Sequence, residues 1–285
     1  MSCPECFTGA IHQGKLLGSE ENIAGIKTYI ARPPSNSASN STIIFITDAF
    51  GFNLVNSKLL ADQYATKIGC TVLVPDIIPG GGVPVDTLTL MESVGKPVGW
   101  FDIRGQIQRI FSFVRMMSIV IPFAIRTQNA FPGVLAYARA VRATLSPGGR
   151  LGAAGFCWGG LQTVKLSQEP SIEGGDSQLI DAHFTAHPAG LKVPDDYLKA
   201  AKAFHVPISI AVGDEDRFLS KSDVETIEAG FRQEFGPLED DFEAVVYPSC
   251  GHGFAVRAEP SKIVENDAAN KAALQAIEWF KRHLN

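Results

Sequence analysis

Short, uninterrupted apolar runs alternate with segments of helical periodicity along most of the chain. TIIFITD (Thr42 to Asp48), CTVLVPD (Cys70 to Asp76) and GRLGAAGF (Gly149 to Phe156) read as strands. So do DAHFTAHP (Asp181 to Pro188), VPISIAVGDED (Val206 to Asp216) and DFEAVVYPSCGHGF (Asp241 to Phe254). Helices are predicted near Asn56 to Ile68, directly after Cys157, and over Pro194 to Phe204, Ser222 to Phe235 and Pro260 to His283. Val/Ile-rich strands without polar alternation are buried on both faces, so the pattern predicts an α/β fold with a mostly parallel central sheet and helices on both sides. Ligands of such sheets sit at the C-terminal strand ends, which makes the residues just after each strand the ones to read for chemistry.

There is no internal repeat, and RPPSNSASNS (Arg32 to Ser41) reads as a surface loop, so residues 1–285 are expected to form one domain. Residues 79–131 break the rhythm. Their aromatic and aliphatic content (Trp100, Phe101, Phe111, Phe113, Met116, Met117) suits a lid over a pocket. Extra core helices or a dimer surface are equally open readings. The run Ile110 to Ile125 carries Arg115 and Pro122 and is short for a bilayer span, and no polybasic segment suggests recruitment to an anionic membrane, so no membrane contact is expected.

A net charge of -5 argues against nucleic acid as the main partner. The first twenty residues hold no apolar signal-like core, and five cysteines are an odd number for a disulfide framework. Reduced thiols in the cytoplasm are the expectation. Cys3 and Cys6 have redox or zinc spacing in CPEC, but no second pair follows; a loose N-terminal segment is expected, with no metal and no cofactor.

The candidate chemistry begins at GFCWGG (Gly155 to Gly160), a G-x-S-x-G elbow with cysteine at the centre. A strand runs into this turn and a helix leaves it. The helix N-terminus favours a thiolate at Cys157, and the Trp158 amide would face a developing oxyanion. A buried cysteine in a tight turn is the competing reading. Among six histidines, His12 and His283 lie near the chain ends, His183 lies within a strand, and His205 precedes one, at the wrong end of the sheet. His187 follows a strand at the right end and could line a pocket. His252, between Gly251 and Gly253 after the last strand, is the candidate base. The acid comes from Asp214, Glu215 or Asp216. Asp216 is preferred because the turn starting at Gly213 needs length to reverse, although spacing separates it poorly from Asp214. The order nucleophile, acid, histidine is that of an α/β-hydrolase. A second oxyanion amide is expected from Ala49 in FITDAFGFN, where Asp48 either projects an acid toward the site or shapes the turn.

At these residues the sequence resembles the dienelactone hydrolase (carboxymethylenebutenolidase-like) family, a cysteine branch of the α/β-hydrolase fold. The resemblance runs through TDAFGFN, LADQYATKIGCTVLVPD, GAAGFCWGG, VGDED and CGHGF, and is poor over 79–131. It implies a triad of Cys157, Asp216 and His252, with the acid fourth in a G-x-x-D turn. Family members often have glutamate where Asp48 stands, holding the resting thiol and moving when substrate binds. They also bind a substrate carboxylate through arginines. Arg257 lies one residue from the expected place, and no partner aligns among Arg104, Arg109 and Arg115, which weighs against chlorinated dienelactones. The expected function is hydrolysis of a small activated ester or lactone by a monomer or homodimer, in a pocket drawing on Trp100, Phe101, Arg104, His187 and Arg257. A ligand-binding protein without catalysis, and a thiol redox protein using Cys3 with Cys6 or Cys157 with Cys250, are the other readings.

Overall fold

The computed structural model describes residues 10–34, 39–95, 98–238 and 240–284. Cys3 and Cys6 lie outside them, as do residues 35–38 of the expected surface loop. Eight strands form one sheet: β1 (Ser19–Ile23), β2 (Ile26–Ala31), β3 (Thr42–Ile46), β4 (Thr71–Pro75), β5 (Leu151–Phe156), β6 (Ala182–Ala186), β7 (Ile208–Gly213) and β8 (Phe242–Tyr247). Their order is β1-β2-β4-β3-β5-β6-β7-β8, parallel from β4 to β8, with β1 and β2 antiparallel at one edge. The edge hairpin is absent from the sequence reading. SEENI is polar and exposed, and its signal is the Ala24–Gly25 turn, where both residues have positive φ (51° and 81°).

The helices are α1 (Val55–Ile68), α2 (Thr87–Gly95), α3 (Ile103–Thr127), α4 (Phe131–Ala143), α5 (Trp158–Leu166), α6 (Asp195–Phe204), α7 (Lys221–Phe235), α8 (Phe254–Arg257) and α9 (Ile263–Leu284). Local chemistry sets several ends. Gly69, at φ 85°, stops α1, and Ser220 and Asp223 close a capping box at the start of α7. The helices α1 and α9 pack on one face of the sheet, and α5 with α4 and α6 on the other. This is the expected doubly covered α/β arrangement.

The centre of the sheet is built from small and aromatic residues in register. Phe45 and Phe156 stack at 4.5 Å between β3 and β5, next to Phe184 on β6. Gly152 leaves room for α9: a Cβ there would stand 2.8 Å from Leu284 and 2.9 Å from Phe280. Burying a side chain such as Phe280 contributes about 1.5–3 kcal/mol, so this close approach matters to the fold.

Two expectations need correcting. The final strand ends at Tyr247, not Phe254, because Ser249 (φ 56°) and Gly253 (φ 95°) turn the chain over the sheet edge and into α8. The apolar run of the 79–131 region is also longer than it reads: α3 continues from Ile103 through Pro122 to Thr127. It packs with α2 above the C-terminal strand ends.

Candidate active site

Cys157 sits between β5 and α5 with φ 52° and ψ −112°, a strained position for a non-glycine residue. Its amide donates to Ala186 O (3.1 Å), and its carbonyl accepts from Gly160 and Ala189. The flanking glycines are required by contact. A Cβ on Gly155 would stand 2.4 Å from Gly159 O, and one on Gly159 would stand 2.1 Å from Ile46 O. Strand, turn and helix are therefore pressed together, which leaves the thiol partly exposed at the head of α5.

His252 comes from the loop after β8. Its Nδ1 donates to Asp216 Oδ2 at 2.9 Å and Oδ1 at 3.2 Å, and both residues are buried. The choice between the two aspartates is made by the turn after β7. Asp216 faces inward and also accepts from Phe218 N (2.8 Å), whereas Asp214 is exposed and accepts from Cys250 N at 3.4 Å. His252 Nε2 has no hydrogen bond of normal geometry. The ring is nevertheless electrically coupled to Cys157. Burial works against the imidazolium, but the interactions with Cys157 and Asp216 outweigh it and raise the His252 pKa to about 10.

Asp48 and Ala49 follow β3, on the other side of the elbow. Asp48 is buried against Arg257, Nε to Oδ2 at 3.0 Å, an ion contact off the line of a good hydrogen bond. Phe50 N donates to Asp48 Oδ1 (3.1 Å), and Gly51 N to its carbonyl. Burial pushes the Asp48 pKa up, opposed chiefly by the Arg257 charge. Ala49 O accepts from Val83 N at 2.7 Å, fixing the loop; the Ala49 and Trp158 amides, among the described residues, donate to no backbone carbonyl.

A cavity of about 710 Å³ lies over Cys157. Asp48, Ala49, Trp158, Phe218, His252 and Arg257 form its sheet side, and Met91, Met116, Met117, Val120 and Phe123 from α2 and α3 roof it. Several expected pocket residues are not there. Trp100 and Phe101 are 87% and 92% exposed in the turn before α3, and Arg104 is exposed on its first turn. Methionines further along α3 take the place expected for those aromatics. Arg257 borders the cavity but is engaged with Asp48, so it is not a spare cation for a substrate carboxylate. His187 lies beneath the site. Its ring packs edge-on to His252 at 5.1 Å, and burial, then the His252 and Arg257 charges, hold its pKa well below the usual value. Cys250 is buried with its thiol on Pro248 O (3.4 Å), and Cys70, Cys157 and Cys250 are unbridged.

Some lining residues escaped the sequence reading. Phe218 packs against His252 with the rings tilted by 56° and their centroids 4.6 Å apart. On α5, Trp158, Leu161, Gln162 and Lys165 present one face to the cavity. Their i, i+3, i+4, i+7 spacing from the elbow was the available signal. Lys165 carries its ammonium over the Phe131 ring, 5.5 Å from the centroid.

A mostly parallel sheet with a cysteine elbow between β5 and α5, and acid and histidine loops after β7 and β8, defines an α/β-hydrolase-fold enzyme. The chain belongs to the dienelactone hydrolase family, whose profile matches residues 26–284. It is 28% identical to Hydrolase pyvD of Aspergillus violaceofuscus, covering 98% of this chain and 96% of that protein. Dienlactone hydrolase 1 of Gibberella moniliformis is 24% identical, covering 96% and 91%. Among solved structures, a putative dienelactone hydrolase from Klebsiella pneumoniae superposes with a TM-score of 0.62 at 19% identity, over 95% of this chain and 100% of that one. An esterase from Thermogutta terrifontis gives 0.53 at 13% identity, over 95% and 93%. The chain is a hydrolase of the carboxylic-ester and lactone class.

Proposed function

We propose that the protein hydrolyses small, largely apolar activated esters or lactones through a thioester on Cys157. The observation that carries this reading is the 2.9 Å contact of Asp216 with His252, whose ring is in turn coupled to the elbow thiol. The Cys157 thiolate attacks the acyl carbon, and the amides of Ala49 and Trp158 hold the oxyanion. The ester C–O bond then breaks, and the His252 imidazolium gives its proton to the departing alkoxide or enolate oxygen.

Acylation itself prepares the second half. Once sulfur is bonded to the acyl group it carries no charge, so the attraction that keeps His252 protonated disappears. The buried ring becomes a neutral base, held by Asp216. It takes a proton from water as the oxygen attacks the thioester, and collapse of that adduct expels the Cys157 thiolate and restores the imidazolium. The products are a carboxylic acid and an alcohol or enol.

Asp48 is assigned a different part from the one the family resemblance implies. Paired with Arg257, it anchors the loop that presents the Ala49 amide. The mostly apolar cavity suits an apolar acyl or alcohol portion, with Gln162 and Lys165 as the polar contacts along α5. Because thiolate is a good leaving group, enol esters and enol lactones should be cleaved and amides should not. The test is a panel of lactones, enol esters, anhydrides, thioesters and alkyl amides assayed with wild type and Cys157→Ala. Turnover of activated esters lost in the variant supports the reading; amides cleaved as fast as enol lactones, or undiminished activity in Cys157→Ala, would overturn it.

A further inference from the structure

α3 has two apolar faces, and the cavity accounts for one of them. Its inner side buries Ser112, Met116, Phe123 and Thr127. On the opposite side Ile103, Ile107, Ile110, Val114, Ile121 and Ile125 are each more than half exposed, from 53% to 71%. At helical pitch these six fall within about 60° of arc. A continuous exposed apolar stripe of this kind marks an interaction surface. Trp100 and Phe101, almost fully exposed, extend it at the N-terminal end.

Charge is arranged beside the stripe. Arg104, Arg115 and Arg126 recur every eleven residues, so they form one row about 100–140° round from Ile103. All three are exposed; Arg126 also donates to Gly81 O. Between Ile103 and Thr127 there is no aspartate or glutamate, in a chain whose net charge is -5. The nearest acid, Asp102, caps the helix by accepting from Gly105 N.

We propose that this face of α3 docks on a membrane surface bearing anionic lipid headgroups, contrary to the expectation of no membrane contact. The helix is about 37 Å long and is held along the domain by its inner face, so it would lie in the interface with the isoleucine stripe in the acyl boundary and the arginine row among the headgroups. Exposed aromatics at one end suit the same depth. Charge disfavours a second copy as the occupant. In a two-fold antiparallel helix pair each flank meets its own symmetry mate, which sets the arginine row against itself.

The test uses the full chain with vesicles of phosphatidylcholine alone or with about 30 mol% phosphatidylglycerol. Co-sedimentation should be at least about tenfold stronger with the anionic vesicles and weaken about tenfold in high salt. Brominated lipid should quench Trp100, since Trp158 and Trp279 are buried. Ile107→Asp/Ile110→Asp should lose binding about tenfold or more, and Arg104→Gln/Arg115→Gln about fivefold. Unchanged circular dichroism melting would show that both variants fold. Absence of binding to every vesicle, equal binding to neutral vesicles, or a solution dimer broken by Ile110→Asp would each overturn the proposal.

Discussion

Arg257 and Asp48 form a buried ion pair, Nε to Oδ2 at 3.0 Å, at the border of the cavity above Cys157. It joins the loop after β3 to α8, five residues beyond His252. Breaking it from one side leaves an uncompensated buried charge. Arg257→Met should therefore cost about 3–5 kcal/mol of stability in urea unfolding, and Asp48→Asn/Arg257→Met should recover part of that loss. If the arginine instead served substrate binding alone, the single variant would keep its stability and change KM only.

The Asp216–His252 contact should matter to catalysis more than to folding. Asp216→Asn retains the shape but replaces the ring's anionic partner. Turnover of an enol ester should fall about 10²–10⁴-fold with a nearly unchanged unfolding midpoint. Asp214→Asn, at an exposed position, should change turnover little. Equal losses in the two variants would count against the assignment of Asp216.

His252 also makes stability pH-dependent. Its folded pKa is raised to about 10, against ~6.5 in the unfolded chain. The folded state therefore holds this proton more tightly, and the contribution is fully present below about 6.5 and lost as pH rises toward about 10. Urea midpoints of wild type should fall across that window more steeply than those of His252→Gln. Since Cys157 supplies part of the attraction, Cys157→Ala should lower the ring's pKa in an NMR titration; an unchanged pKa would remove the coupling.

The elbow should not tolerate a single added carbon. In Gly159→Ala the new Cβ meets Ile46 O at 2.1 Å, and relief requires α5 to move away from β3. A cost of about 1–3 kcal/mol is expected, together with loss of turnover because the Trp158 amide shifts with the helix. Thermal melting and kcat measured on the same samples would check both.

The parts of this enzyme that were legible in the chain are those where local pattern and tertiary role agree. β3, β4 and β7 read correctly because Val/Ile-rich runs bounded by turn residues have few alternatives, and β5 (LGAAGF) and β6 (AHFTA) because short runs of small and aromatic residues lie between turn residues. Cys157, Asp216 and His252 could be singled out as candidates because each follows its own strand, and the sheet brings the three to one edge. β1 was missed because an exposed, polar edge strand has no apolar run to announce it, and β2, although buried, because Lys27 and Thr28 interrupt its short apolar pattern. The pocket walls were harder for a different reason. On α3 apolar residues occur all round the helix, and nothing in the sequence tells the Met116 face, which meets the cavity, from the Ile110 face, which meets solvent. Trp100 and Phe101 were expected to line the pocket on apolar character alone. Arg257 was named for the pocket from the family resemblance and does border the cavity, but its ion pair with Asp48, more than two hundred residues away in sequence, had no local signal.

The central claim is that the acyl group passes through the sulfur of Cys157. It is tested most directly by intact-mass spectrometry of His252→Ala mixed with an enol ester, followed by peptide mapping. Without its base for deacylation, the variant should gain the mass of one acyl group, on the peptide carrying Cys157, and Cys157→Ala should gain none. An acyl group mapped to another residue, or no adduct while wild type turns the ester over, would contradict the account.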